Sequence, residues 1–525
     1  MNTNFKPLGI AAAVAAVTAG YAGAVNAASV ASETELGDLA IVPYYTTLEG
    51  YSTGVNIINT SGVTQVLKFR FRRAVDSMDA MDFNVVLSPY DMYTGFIGAE
   101  GDNITWTSND NSCTAPGYDT GDNKFTMPPI FRAGADTGYI EIISMGSPTT
   151  ETQPIAVAAK HGSDGVPASC ALVRDNFFAA SLDKDGETDL TKKGVINSET
   201  THQRDVDSDG EILSSVVAST YEASPDSLKV SYFIKSDETG VEFGDNAVHI
   251  ADFLDQPAMT NQERGIFSRD FQGFDYPDLN GGSPLDPANK LPYSRGKYVS
   301  LRSILGAEEL INDWSKNTVE ALGATVDTDW VVTVPGQYVM FNLLTYLVDG
   351  PDACVRLSAA QKANAVNPIT PIGDVVACDY RDIPLTAIVD VYDREEQGIR
   401  VEEGDLVVSP QPPITVTKKA LKDEVNVIQW GETPVLNAPT NITVDTPAGA
   451  VFGWASLSTE PADDALGICD LDLAAPGGPA FGCKSGVGGT PTPLVGFAAW
   501  QRAFAANPGS NYGRIVEHSR TQASS

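Results

Sequence analysis

The stretch Gln65-Val66-Leu67-Lys68-Phe69-Arg70-Phe71-Arg72-Arg73 decides the fold class. Leu67, Phe69 and Phe71 take one set of alternate positions; Lys68, Arg70 and Arg72 take the other. A period of two puts the sets on opposite faces of an extended chain. The segment therefore predicts a half-buried antiparallel strand with its basic side chains toward solvent. The same reading extends outward. Leu39 to Thr46 is a β-branched and aromatic run, Gly54 to Asn59 stops at Thr60-Ser61-Gly62, and Asp82 to Leu87 closes on Ser88-Pro89. Later strands are predicted at 139–144, 155–159, 228–234, 330–334, 338–341, 387–392, 425–430, 451–456 and 495–499. Short strands parted by Gly, Pro, Asn and Asp turns point to sandwiches. The predicted class is mostly β: an antiparallel β-sandwich, Ig-like or jelly-roll in type, with few short helices and long loops.

Helix is sparse. Leu301 to Trp314 predicts one helix, with Leu301, Ile304, Leu305, Ile311 and Trp314 on one face. Shorter helices are predicted at 358–365 and 498–506. Asp275 to Gly296 is rich in Pro, Gly and Asp and reads as a boundary or surface loop. The organisation expected is a signal peptide at 1–27, a β-sandwich region with acidic loops at 28–274, a loop or linker at 275–300, and a mixed β region with short helices at 301–525.

The N-terminus has one positive charge at Lys6, an uncharged Ala/Val/Gly-rich run from Leu8 to Val25, and Val25-Asn26-Ala27. That is the layout of a secretory signal, with cleavage expected after Ala27. A membrane anchor is the competing reading, but the run is Ala/Gly-rich rather than Leu/Ile-rich. No later run of spanning length occurs, so no transmembrane segment is expected after cleavage.

The 525 residues include 68 acidic and 34 basic ones, for a formal net charge of −34. Such a surface repels nucleic acid and anionic lipid. Six cysteines are present, Cys113, Cys170, Cys354, Cys378, Cys469 and Cys483. An even number in an exported chain suggests disulfides. Proximity favours Cys113–Cys170, Cys354–Cys378 and Cys469–Cys483, among fifteen formal pairings. No C-x-x-C occurs and there are four histidines, which argues against structural zinc.

Asp205-Val206-Asp207-Ser208-Asp209-Gly210 is the sharpest motif. Oxygen ligands at alternate positions followed by glycine suit a loop that wraps Ca²⁺. The twelfth position is Val216 rather than Glu, so an EF-hand is not expected. Asp183, Asp185 and Asp189 form a second acidic loop upstream. A solvated acidic loop is the plain alternative for both. Gly50-Tyr51-Ser52-Thr53-Gly54 matches G-x-S-x-G but is followed by a strand, so it reads as a hairpin turn. Lys68, Arg70, Arg72 and Arg73 form the densest basic cluster. They are read either as a binding stripe for lipopolysaccharide phosphates or an acidic neighbouring copy, or as a solvent face paired with Asp76, Asp79 or Asp82. The six tryptophans are read as core residues first and as sugar-stacking platforms second. No zinc-protease, P-loop or dinucleotide motif is present.

Several strings carry a resemblance. They are Gly37 to Thr47 (GDLAIVPYYTT), Asn56 to Ser61 (NIINTS), Asp82 to Asp91 (DFNVVLSPYD), Thr328 to Thr333 (TDWVVT), Val391 to Glu396 (VYDREE) and Asn511 to Arg514 (NYGR). Together they resemble a family of secreted, functionally uncharacterised proteins of Gram-negative bacteria. The resemblance is chain-wide and brings no active site with it, so no catalytic residue is carried over.

The expectation is a secreted, non-enzymatic cell-surface or extracellular structural or interaction protein, calcium-stiffened and self-assembling. Its partners would be itself or cell-envelope glycan and lipopolysaccharide, with no nucleic acid. The alternative is a secreted carbohydrate-binding or carbohydrate-cleaving protein. The periplasm is the alternative destination.

Overall fold

The computed structural model describes residues 30–48, 50–75, 77, 79–119, 123–177, 221–255, 257, 277–279, 296–319, 323–336, 385–399, 417–421, 423–461, 469–472, 480–483 and 492–521. They fold mostly into antiparallel sheet. The first sheet has eight strands. Its order is Val30–Ala31, Val248–Ala251, Leu39–Thr46, Thr137–Pro148, Gln65–Arg73, Asp79–Leu87 and Cys113–Ala115, with Tyr221–Glu222 pairing off Thr137–Pro148. The second sheet runs Glu242–Asn246, Leu228–Ser236, Tyr51–Asn59, Met92–Glu100, Asn103–Thr107 and Lys124–Thr126. The third runs Thr417–Leu421, Leu385–Asp393, Phe452–Pro461, Glu309–Ser315 and Ser519–Thr521. The fourth runs Asn441–Thr443, Val425–Gln429, Ala324–Thr333, Val495–Phe504 and Tyr512–Glu517, with Thr318–Val319 beside Ala324–Thr333.

Alternation explains how the sheets stack. Phe69, Phe71 and Phe83 project from one face of the first sheet onto Tyr93, Trp106 and Phe125 of the second, with Phe69 and Trp106 centroids 4.9 Å apart. The strands Ala324–Thr333 and Val425–Gln429 of the fourth sheet are buried on both faces. Trp330 on one face meets Trp430, which stacks on Trp314 of the third sheet at 5.5 Å. The other face turns to the first two sheets. There Phe497 lies 6.1 Å from Tyr232, and Thr333 Oγ1 donates to the Pro43 carbonyl at 2.7 Å. The two sandwiches thus share one continuous apolar core.

A smaller core covers the outer face of the first sheet, where Val66, Val86 and Met145 pack against Ile155 and Val173. The helices Pro154–Ala159 and Cys170–Phe177 supply the cover. The Cys113–Cys170 disulfide ties the second helix to the sheet's last strand.

Three local expectations are corrected. Residues 155–159 are helix, because Pro154 opens a helical turn that buries Ile155, Ala156, Ala158 and Ala159. The helix predicted over 301–314 is Gly296–Leu305, followed after Gly306 by the strand Glu309–Ser315. Residues 498–504 are strand, since Val495–Phe504 pairs on both sides within the fourth sheet. Pairing on two sides outweighs the helix propensity of the alanines.

The deciding stretch is a strand, but buried on both faces, so the predicted solvent face is corrected. Lys68, Arg70, Arg72 and Arg73 are at most 1% exposed. Lys68 pairs with Asp82, Arg70 with Asp79 at 2.7 Å, and Arg72 with Glu141 at 3.1 Å. Arg70 also reaches Glu141 at 3.5 Å and donates to the Pro277 carbonyl at 3.0 Å. Tyr139 donates to Glu141 Oε1 at 3.0 Å and accepts from the Gly336 amide at 3.3 Å. Three cations face three carboxylates across three adjacent strands. Removing one member of a buried pair strands its partner and costs about 3–5 kcal/mol. Glu141→Gln is therefore expected to lower stability by about that much in urea titration. Lys124→Gln, at the surface pair with Glu100, should leave the midpoint nearly unchanged.

Candidate functional site

The four basic residues proposed as a binding stripe stand in the interior, as an ionic ladder between strands. They offer no surface to phosphate or to a neighbouring copy. Arg73 donates to the Ala133 carbonyl at 2.7 Å, and burial pushes its guanidinium down to about 10. The calcium-type residues Asp183, Asp185, Asp189, Asp205, Asp207 and Asp209 lie outside the described residues. Cys354 and Cys378 do as well, together with the signal segment. Cys113 and Cys170 are bonded. Cys469 and Cys483 occupy facing positions of the hairpin Cys469–Asp472/Ala480–Cys483. Gly50, at φ +77°, turns the chain into the Tyr51–Asn59 strand, so Ser52 of G-x-S-x-G sits on a strand and not on an elbow. Among the described residues no group of three or more His, Cys, Asp or Glu is placed to hold a metal, and no helix is long and apolar enough to cross a membrane.

Three clusters of reactive residue types were invisible in the sequence. Ser88, Asp91 and His161 converge at the end of the Asp79–Leu87 strand. Ser88 Oγ is 3.3 Å from His161 Nδ1, and Asp91 Oδ2 is 3.4 Å from the same nitrogen. A proton relay needs the hydroxyl and the carboxylate on opposite ring nitrogens. Here one nitrogen faces both, while Asp91 also accepts from the Ser88 amide at 3.1 Å. The arrangement locks a turn.

The second cluster is Asp38 with Asp226, whose charge opposes ionisation of Asp38. Asp38 accepts from the Phe253 and Leu254 amides at 2.8 and 2.7 Å, and burial, with Asp226 adding to it, pushes it up to about 7. Glycosidase carboxyls stand about 5–10 Å apart with a sugar between them. Here both oxygens of Asp38 accept backbone amides and Asp226 accepts from the Asp252 amide, so the two hold a loop.

The third is Asp329 at the seam of the two sandwiches. Its Oδ2 accepts from the Val435 and Leu436 amides at 2.8 and 2.9 Å. Complete burial pushes it up to about 7 against the pull of those amides. Two histidines are equally committed. His249 Nε2 accepts from the Val230 amide, and His518 donates from Nε2 to the Val331 carbonyl while Nδ1 accepts from Asn312. Burial lowers both to about 4.

The tryptophans separate sharply. Trp106, Trp314, Trp330, Trp430 and Trp500 are buried, whereas Trp454 is 40% exposed. It stacks on Tyr392 at 4.5 Å with 16° between the rings. In register, Trp454 lies between Tyr392 and Asp313, and the neighbouring row carries Asp390 beside Ser456. The outer face of the third sheet thus joins an aromatic pair to carboxylates. That combination stacks on the C–H face of a sugar and accepts from its hydroxyls. Parity could have shown it: Ala455 and Leu457 are buried, which leaves Trp454 on the opposite face of its strand.

The seam carboxyl yields a prediction with a definite sign. Folded Asp329 keeps its proton to about pH 7, while an unfolded aspartate loses it near 4. Folding takes up a proton between those values, so this residue's contribution falls as pH rises through the window. The two neutral histidines act oppositely, losing stability as pH falls from about 6.5 to 4. The test is therefore the difference between variant and wild type. Asp329→Asn should gain on wild type by about 2–3 kcal/mol between pH 5 and pH 8 in urea unfolding. A constant difference would contradict the assignment. No protein-family model matches the chain, and no curated protein or solved structure matches it either.

Proposed function

We propose that the chain is an exported, non-enzymatic interaction protein of the cell surface or extracellular medium. The observation that supports this reading is how the polar interior is employed. Asp38, Asp329, His249 and His518 hold backbone groups, and the basic cluster binds strands together. The outer faces of the second and third sheets remain as working surfaces. The N-terminal sequence supplies the export signal, and the acidic loops at 183–189 and 205–210 would take up Ca²⁺ where that ion is abundant.

A second reading, carbohydrate binding, is favoured by one specific feature, the exposed Trp454–Tyr392 stack beside Asp313 and Asp390. Cell-envelope glycan, including the saccharide of lipopolysaccharide, is the partner class it suits.

Fractionation of expressing cells, with and without a chelator, tests the first reading. The protein is expected in the surface or medium fraction, with surface retention reduced by chelator. Recovery solely from the periplasm, unaffected by chelator, would contradict it. For the second reading, a glycan array is expected to show binding that Trp454→Ala weakens about tenfold or more while the melting temperature holds. Binding unchanged in that variant would remove the site.

A further inference from the structure

The outer face of the second sheet differs from the rest of this acidic chain. On its three central strands the outward positions alternate with core residues. Asn56, Met92, Thr94, Phe96, Ser231 and Phe233 are all at least partly exposed. Phe96 is 43% and Met92 42% exposed. No carboxylate stands among them until Glu100, at the end of its strand. The Phe233 ring lies over Gly54, where an added Cβ would fall 2.1 Å from Cζ. Glycine there lets the ring lie across the sheet and continue the apolar row from Phe96, since Gly54 is in register with both phenylalanines. Charge returns at the margins: Lys229 pairs with Glu35 at 2.6 Å, Lys124 with Glu100 at 2.8 Å and Lys235 with Asp237 at 3.6 Å, and the exposed Glu242 stands in register beside Lys235.

A charge-depleted centre with aromatics and methionine, framed by a charged rim, is the anatomy of a protein interface. Three strands at about 4.8 Å, and seven residues at about 3.3 Å each, give a plane of roughly 14 by 23 Å. With the three flanking strands and side-chain relief, that approaches the ~800 Å² per partner of a standard interface.

We propose that two copies of this chain pair face to face through this surface. Charge decides the occupant. The chain carries −34 overall, so copies repel wherever carboxylates dominate. This face lets them approach without burying one unpaired carboxylate on another. A two-fold contact then sets each neutral centre on its own counterpart. The pairing rests on the interaction reading above and names its partner. It also sets the salt dependence: screening the long-range repulsion strengthens association, the reverse of an interface held by salt bridges.

Sedimentation and light scattering on the exported full-length chain, over a concentration series at low and high sodium chloride, give the test. The expected mass rises toward twice that of the chain, at lower protein concentration when salt is high. Phe96→Asp and Met92→Glu should each weaken pairing about tenfold or more, with circular dichroism and melting temperature held. Tyr90→Ser, 74% exposed and outside the strands, should pair like wild type. Wild type that stays monomeric at every salt, or pairing unchanged in both strand variants, overturns the proposal. So does a monomer that binds a neutral glycan and loses it in Phe96→Asp, which would give the face to saccharide. A monomer still found in the surface fraction would sink the pairing alone and leave the interaction reading standing.

Discussion

The structure depends on a ladder of charge buried beneath the first sheet. Lys68, Arg70 and Arg72 rise from one strand and meet Asp79 and Asp82 on one neighbour and Glu141 on the other. Buried ions gain little over well-packed apolar residues, but a broken pair is costly. The ladder therefore acts on specificity more than on total stability. A one-residue slip of the Gln65–Arg73 strand would turn its cations onto Phe83 and Trp106 and its phenylalanines onto the carboxylates. With that register held, the aromatic face of the first sheet meets the second, and the fourth sheet docks against both.

This constraint also shapes the functional reading. The residues that most resembled a binding site are structural, and those that most resembled catalytic groups hold turns and loops. Ser88 and Asp91 meet at one ring nitrogen of His161, and Asp38 and Asp226 are taken up by backbone amides. Among the described residues, the outward sheet faces include an aromatic–carboxylate patch around Trp454 and an uncharged face around Phe96. Surfaces of that kind suit adhesion and assembly.

Much of the fold was legible because alternation is a local signal. Leu39–Thr46, Gln65–Arg73, Leu228–Ser236 and Leu385–Asp393 fall where the pattern puts them. What escaped was whatever depends on a second layer. Period two tells which residues share a face, but not whether water or protein covers that face. Lys68 and Arg70 read as solvent-facing because the cover, with Pro277 and Gly336 in it, comes from chain over 200 residues away. The alanines of 498–503 read as helix because their pairing strands are distant in sequence or come later. The exposed Trp454 was hidden among six tryptophans of equal standing. Parity within its own strand separates it once the strand's bounds are known. The cysteine pair 113–170 followed from proximity, and the disulfide bears it out.

The most direct test of the central claim is the reactivity of Lys68 in the folded protein. Acetylation with a water-soluble reagent, read by mass spectrometry, compares it with Lys229 and Lys235 on the outer face of the second sheet. If the charges are an internal ladder, Lys68 stays unmodified until the chain unfolds, while the other two react at once. Modification of Lys68 at the rate of those surface lysines would return the basic residues to solvent and contradict the account.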